Sequence, residues 1–507
     1  MPGHFAAHAR AAVSIFACTI SGGLVAVPSA FQNASLLPSL ALAVLAAATN
    51  GLSLYKLGQI SERSGGLTSY GSVAGRISGP IAAAVLDLMI GLFLVGVLAG
   101  SFIVLRDWFD SLFRDLAKTR LATALTAVLV VFPLSLPRSV GMLAHAGLLA
   151  VCAFALLVGV LFGYGAQQLA AGHAGSLTPV WLPSELAPLK LGTTLNVLVY
   201  SFACQFQLMD IHRDLVVRVG GGDGVSGVDV PPPPLGVPPA PLGATPRVRF
   251  GAVVSAATCA MLLLGCGSGI FGTLAFGGKT VDGNVLVSLE SKPLGGLTYA
   301  CLASGVALSA PLMLYPARGC LFSIGHLVAA RLRRRSSMSG AVGRPDPGPD
   351  VADGAEPLAS HVAMTAAIVA TALTIALLFD RVMVLIGYLA AFVLVPLGFA
   401  FPAVAVLRLP PPPRKQAGGG GGGGGGGRGG EPLLLVDVLD DYDGAAANAA
   451  VPTVQRGAAG SGGAGRGGLR GCCARHGVAT MLSSAWLVLV AVATVAIKVA
   501  AMVVGKS

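Results

Sequence analysis

Two apolar stretches contain residues able to do chemistry inside a membrane. In the first, "SIFACTISGGLVAVPSAF", Ser21, Gly22 and Gly23 sit mid-stretch and Pro28 follows. Consecutive glycines weaken a helix and proline removes a backbone donor. In lipid, an opened helix survives only where it is buried or lines a cavity. Its free N–H groups, helped by the half-helix dipole, could then receive an anionic group such as a carboxylate. Close packing of small residues against a neighbouring helix is the competing explanation. The second stretch, "LNVLVYSFACQFQLMDIHRDL", places Ser201, Gln205 and Gln207 among apolar residues and ends on Asp210, His212, Arg213 and Asp214. Polar groups inside a span are costly and often functional, although glutamines can also bond neighbouring helices. If two five-helix halves repeat, the two stretches occupy equivalent places. Paired interruptions of that kind point to a ligand site near the midplane.

The rest of the chain must supply a membrane scaffold for such a site. Only 11% of its 507 residues are charged, 54% are hydrophobic, and the mean hydropathy is +0.78. A soluble domain carries about 25% charged residues, so an ordinary soluble enzyme is excluded, as is a wholly disordered chain. A bilayer-crossing helix needs about 20 mostly apolar residues. Candidates lie near 10–31, 36–57, 80–104, 120–137, 140–168, 190–212, 249–276, 295–325, 358–379, 382–407 and 478–503. This predicts an all-α polytopic protein of eleven transmembrane helices. With the N-terminus inside, the inner segments hold most of the 33 Lys and Arg. The positive-inside rule then puts the N-terminus in the cytoplasm and the C-terminus outside. The net charge of +11 fits loops beside acidic lipid better than nucleic-acid binding. Residues 219–246, 331–357 and 408–477 read as disordered inner loops, Pro-rich, Arg-rich and Gly-rich in turn.

Other chemistry finds little support. The nine cysteines show no CxxC or Cys/His metal spacing, and no nucleophile–base set stands out. "GSGIFG" at Gly267–Gly272 matches GxGxxG but lies within a spanning helix, where helix packing explains it better than a dinucleotide. No resident cofactor or metal is expected, and the chain reads as a carrier rather than an enzyme. Asp87 lies about two turns into the third span. It is either a proton carrier or an interfacial charge.

"SGGLVAVPSAF" resembles the broken first helix of the amino acid/auxin permease family, particularly its sodium-coupled neutral amino acid transporters. The likeness is collinear. It continues through "FPLSLPRSVGMLAHAGLLA", "YSFACQFQLMDIHRDL", "GIFGTLAFGGKTVDGNVL", "APLMLYPARGCL" and "LIGYLAAFVLVPLGFAFPAVAVLRL". The resemblance implies an inverted-repeat fold with residues 10–168 and 190–407 as the two repeats, helix eleven appended, and helices one and six broken. It implies that Ser21, Gly22 and Gly23 receive an amino acid carboxylate. Ser201, Phe202 and Cys204 would then line the amine and side-chain end. It also implies ion-coupling positions at Ala17, through its backbone, and Ser309. The sodium-coupled branch has Asn where this chain has Ala17, which supplies no side-chain oxygen. Coupling to Na+ or to H+, with Asp87 a candidate for the latter, stays open. The expected function is secondary active transport of amino acids, in the plasma membrane or an endomembrane.

Overall fold

A computed structural model describes residues 2–19, 23–64, 69–136, 144–171, 187–219, 250–276, 283–290, 292–338, 358–379, 382–409 and 478–503. The Pro-rich and Gly-rich loops lie outside these residues, as do Ser21 and Gly22. All the regular structure among them is helical. In chain order the helices are α1 (Pro2–Thr19), α2 (Val27–Ala34), α3 (Leu36–Arg63), α4 (Tyr70–Ser78), α5 (Pro80–Phe113), α6 (Leu116–Leu134) and α7 (Ala144–Ala170). They continue with α8 (Pro188–Ser201), α9 (Gln205–Val219), α10 (Phe250–Ala275), α11 (Val285–Leu289), α12 (Gly295–Met338), α13 (Leu358–Leu378), α14 (Val382–Arg408) and α15 (Val478–Val503).

Among the described residues eight helices are long and apolar enough to cross a bilayer: α3, α5, α6, α7, α10, α12, α13 and α14. The other three predicted spans fall on α1 with α2, on α8 with α9, and on α15. In the first two cases the span is a pair of shorter helical pieces rather than one continuous helix. Two boundaries differ from expectation. The first helix begins at Pro2, ahead of residue 10. The eighth span runs on to Met338 and takes Arg331, Arg333, Arg334 and Arg335 into the helix, where a disordered loop was expected. "LVAARLRRR" is made largely of good helix formers, so nothing local ends the helix at the membrane edge.

The ends and irregularities follow from sequence. The hydroxyl of Ser69 accepts from the Ser72 N–H and caps α4. Gly79, at φ +88°, turns the chain, and Pro80 then opens α5 at a position needing no N–H. Proline also explains the widened turns. Ala127–Val131 in α6 precedes Pro133, and Ala390–Leu394 and Pro396–Ala400 in α14 precede Pro396 and Pro402. Each is a π turn where the missing donor loosens the ladder. Arginines close helix C-termini across the bundle. Arg106 donates to Ala376 and Phe379 carbonyls at 2.8 and 3.0 Å, and Arg318 to the Ser135 carbonyl at 2.6 Å.

The core is organised around α5, which is about 51 Å long and buried along most of its middle. It packs against α12, α4 and α13. Against this shaft the two interrupted helices run antiparallel: α1 lies on α9, and α2 lies on α8. Helix α10 holds the pair from behind through small residues. A Cβ at Gly269 would stand 2.6 Å from the Phe31 ring, and one at Gly272 2.7 Å from Pro28. The GxGxxG segment is therefore a packing surface that lets α10 approach α2 closely.

Candidate substrate site

The break between α8 and α9 is built by hydrogen bonds from a third helix. After Ser201, the Phe202 N–H donates to the Leu198 carbonyl at 3.1 Å and the Ala203 N–H to the Tyr200 carbonyl at 3.1 Å, so the last turn tightens and the ladder stops. The residues here, Phe202, Ala203 and Cys204, include neither glycine nor proline. The freed carbonyl of Phe202 instead receives the Asn50 Nδ2 of α3 at 2.8 Å. The Oδ1 of Asn50 accepts from Gln205 Nε2 at 2.5 Å, and the Tyr70 hydroxyl donates to the Gln205 carbonyl at 3.3 Å. Asn50 and Gln205 are fully buried. In a dry interior a freed carbonyl costs about 1–3 kcal/mol unless paired, so Asn50 is what makes the opening tolerable. Gly398 leaves room for the Gln205 amide, and the Ser53 hydroxyl donates to the Gly398 carbonyl.

The other interrupted helix meets this break directly. α1 ends at Thr19, whose hydroxyl turns back to the Phe16 carbonyl at 2.6 Å; after Gly23 a 3-10 turn, Leu24–Ala26, leads into α2. The Ser201 hydroxyl donates to the Gly23 carbonyl at 2.9 Å and to Val197 at 2.7 Å, tying the two helices together. A Cβ at Gly23 would lie 2.6 Å from the Tyr200 ring. Glycine lets the ring pack directly on the backbone here, and any Cβ would make the ring move.

Between the pieces lies a small hollow lined by Cys18 of α1, Phe93 and Val97 of α5, Met313 of α12, and Tyr200, Ala203, Phe206 and Gln207 around the second break. It has room for about one water molecule. The walls are aromatic and aliphatic, with one neutral amide: Gln207 Nε2 contacts the Met313 sulfur at 3.1 Å. The carbonyl end of α8 faces this region with partial negative charge, and the N-terminal end of α9 with partial positive charge. A small zwitterion matches that pattern: ammonium toward the first, carboxylate toward an N-terminal end.

The sequence-predicted positions distribute as follows. Gly23 and Ser201 meet each other. Phe202 and Cys204 are buried within the break itself, Phe202 giving its carbonyl to Asn50. Ala17 lies in the last turn of α1. The Ser309 hydroxyl is buried and donates to the Val306 carbonyl of its own helix at 3.0 Å. Asp87 is buried away from the hollow, where α5 packs on α4, with its carboxylate against Gly71. Among the described residues no three His, Cys, Asp or Glu gather as metal ligands. Sequence reasoning had not named Tyr200, Ala203 and Phe206 as lining residues. Tyr200 closes α8, Ala203 lies in the break and Phe206 opens α9, so no single helix face groups them in the sequence.

The family model described as "Transmembrane amino acid transporter protein" matches residues 6–218 and 245–419, which include both interrupted helices. The chain belongs to this family. A yeast protein, Vacuolar amino acid transporter 7 of Saccharomyces cerevisiae, is 21% identical over 308 residues, covering 59% of this chain and 56% of its own length. The chain thus spans little more than half the length of that relative. Family membership and the apolar helices together make this a multi-pass integral membrane protein.

Proposed function

We propose that the protein carries neutral amino acids by alternating access, with the substrate held in an enlarged form of the hollow between the two interrupted helices. The observation that carries this reading is the antiparallel meeting of the two breaks at an uncharged, aromatic hollow. A charged substrate side chain would be buried there unpaired, at high cost. The zwitterionic head is matched by helix ends, and opposite rocking of the bundle against α5, α12 and α13 would open the hollow to each side in turn. Lys and Arg distribution supports a cytoplasmic N-terminus, with α4 and the exits of α3 and α14 on the same inner side. The name of the yeast relative supports an endomembrane, with vacuole-like compartments first among them.

The experiment is reconstitution of the full chain in lipid vesicles and uptake of radiolabelled amino acids, with sodium and pH gradients imposed separately. Saturable uptake of neutral amino acids, blocked by unlabelled competitor, is expected. Flux proportional to concentration without saturation would indicate a channel and defeat the carrier reading.

A further inference from the structure

The short helix α11 covers the turn that follows the first interruption. Its Val285, Leu286 and Leu289 are fully buried. They pack it on α5, on α12 and on the 3-10 turn Leu24–Ala26, just after Gly23. One asparagine fastens it there. The Oδ1 of Asn284 accepts from the Leu286 N–H at 3.1 Å and caps α11. Its Nδ2 donates to Asp107 Oδ2 of α5 at 3.1 Å and to the Tyr299 hydroxyl of α12 at 3.3 Å. The cap decides which way round the amide sits. Only an oxygen can accept from Leu286, so the nitrogen must face the carboxylate and the phenol. Asn284 and Tyr299 are buried, and Asp107 lies beside Arg106 at 3.8 Å. A bond to a carboxylate is charge-assisted and about twice as strong as a neutral one.

Helix α5 gives the height of this contact. Phe93 and Val97 of the hollow stand about 20 and 25 Å along it from Pro80, and Asp107 about 40 Å. The end of α11 that carries Asn284 therefore lies about 15 Å beyond the hollow, on the side away from α4. The other end of α11 is held by a tight turn. The Lys292 N–H donates to the Leu289 carbonyl at 2.9 Å and the Gly295 N–H to the Lys292 carbonyl at 2.9 Å. The Tyr164 hydroxyl of α7 donates to the Pro293 carbonyl. Leu294 sits at φ +63°, in the left-handed region that side chains seldom adopt, and a Cβ at Gly295 would overlap the Leu289 carbonyl. This end is thus a fixed pivot, and the Asn284 end is the one joined to α5 and α12 by side-chain bonds.

We infer that α11 is a lid over the first interruption and that Asn284 is the positioning residue that locks it. Helices α5 and α12 belong to the part against which the interrupted helices rock. A lid fastened to them and seated on Leu24–Ala26 keeps the end of the bundle away from α4 closed. Release of Asn284 lets α11 swing about the Lys292–Gly295 turn and uncovers the way to the hollow. The inference rests on the transport reading for the meaning of that opening, while the lock itself rests on the three bonds of one amide.

The test separates the lock from the cap. Asn284→Asp keeps an oxygen for the Leu286 N–H but sets a carboxylate against Asp107. Adding Asp107→Asn restores a donor, so the double variant carries the same bond reversed. Full-length protein in lipid nanodiscs is followed by hydrogen–deuterium exchange of the peptide holding residues 285–290. In sealed vesicles, Cys18, which lines the hollow, is treated with a membrane-impermeant maleimide from the face that carries α11 and read by mass spectrometry. Asn284→Asp should exchange and label at least about tenfold faster than wild type, the factor for losing one charge-assisted bond. The double variant should return most of the way to wild type. Wild-type rates in Asn284→Asp overturn the lock. So does a double variant as fast as Asn284→Asp, or a gain in Cys18 labelling seen only from the α4 face. Should Asn284→Asp not insert, Asp107→Asn alone decides: it trades a charge-assisted bond for a neutral one, so rates about threefold above wild type are expected, and unchanged rates overturn the lock. Neither readout needs a substrate, so failure of amino acid uptake would count against the transport reading alone.

Discussion

Replacing Gly23 by alanine probes the meeting of the two interrupted helices. The added carbon would lie 2.6 and 2.9 Å from Cδ1 and Cε1 of Tyr200 and 3.2 Å from the Ser201 hydroxyl. Carbon atoms in contact prefer about 3.5–4.0 Å, so the Tyr200 ring must shift by roughly 1 Å. Tyr200 lines the hollow and can move into it, so the variant should insert and fold. The moved ring then takes space the substrate needs. Overpacking costs about 1–3 kcal/mol. If that cost falls on the bound state, apparent affinity drops by about 5- to 150-fold. The assay is uptake by reconstituted protein, with KM and maximal rate measured separately and folding followed by thermal unfolding. Pairing Gly23→Ala with Tyr200→Leu, which removes the ring, should recover a large part of the loss. A variant that folds normally and keeps the wild-type KM would refute the reasoning.

Three further outcomes are expected. Asn50→Ala strips the bond to the Phe202 carbonyl and the partner of Gln205, so thermal stability in detergent should fall by about 1–3 kcal/mol, with uptake lost; an unchanged melting point would show that another group closes the break. Gln207→Leu leaves helix and volume nearly intact but removes the one amide of the hollow. Neutral amino acids with polar side chains should lose about 2- to 12-fold in affinity while apolar ones are unaffected, which competition assays would read. Arg318→Ala removes the guanidinium that joins the end of α6 to His361 and Thr365 of α13. The melting transition should show a loss on the order of 3 kcal/mol, and a loss below 1 kcal/mol would mean that water replaces the guanidinium.

Much of the scaffold was legible because hydropathy in lipid leaves few alternatives. A run of apolar residues must be helical to satisfy its own backbone, which is why α3, α5, α7, α10, α13 and α14 fall close to their predicted places. The interruption at Gly23 was legible through glycine and proline. That of the second helix was legible only by analogy, because Phe202, Ala203 and Cys204 are ordinary helix residues and the agent is Asn50, about 150 positions away. The lining of the hollow was hidden for a related reason. Polarity drew attention to Ser201, yet its hydroxyl is consumed by Gly23 and Val197, while the walls come from aromatic residues whose composition looks like core. Asp87 was visible as a charge, but its contact with Gly71 depends on how α4 folds back onto α5, which no local pattern records.

The central claim is that the substrate occupies the space between the two interrupted helices, and Cys18 reports on that space most directly. Maleimide modification of Cys18 in the reconstituted protein should slow as a transported amino acid is added, with half-protection near the concentration that half-saturates uptake. Labelling of Cys18 that is indifferent to a saturating, transported amino acid would contradict the account.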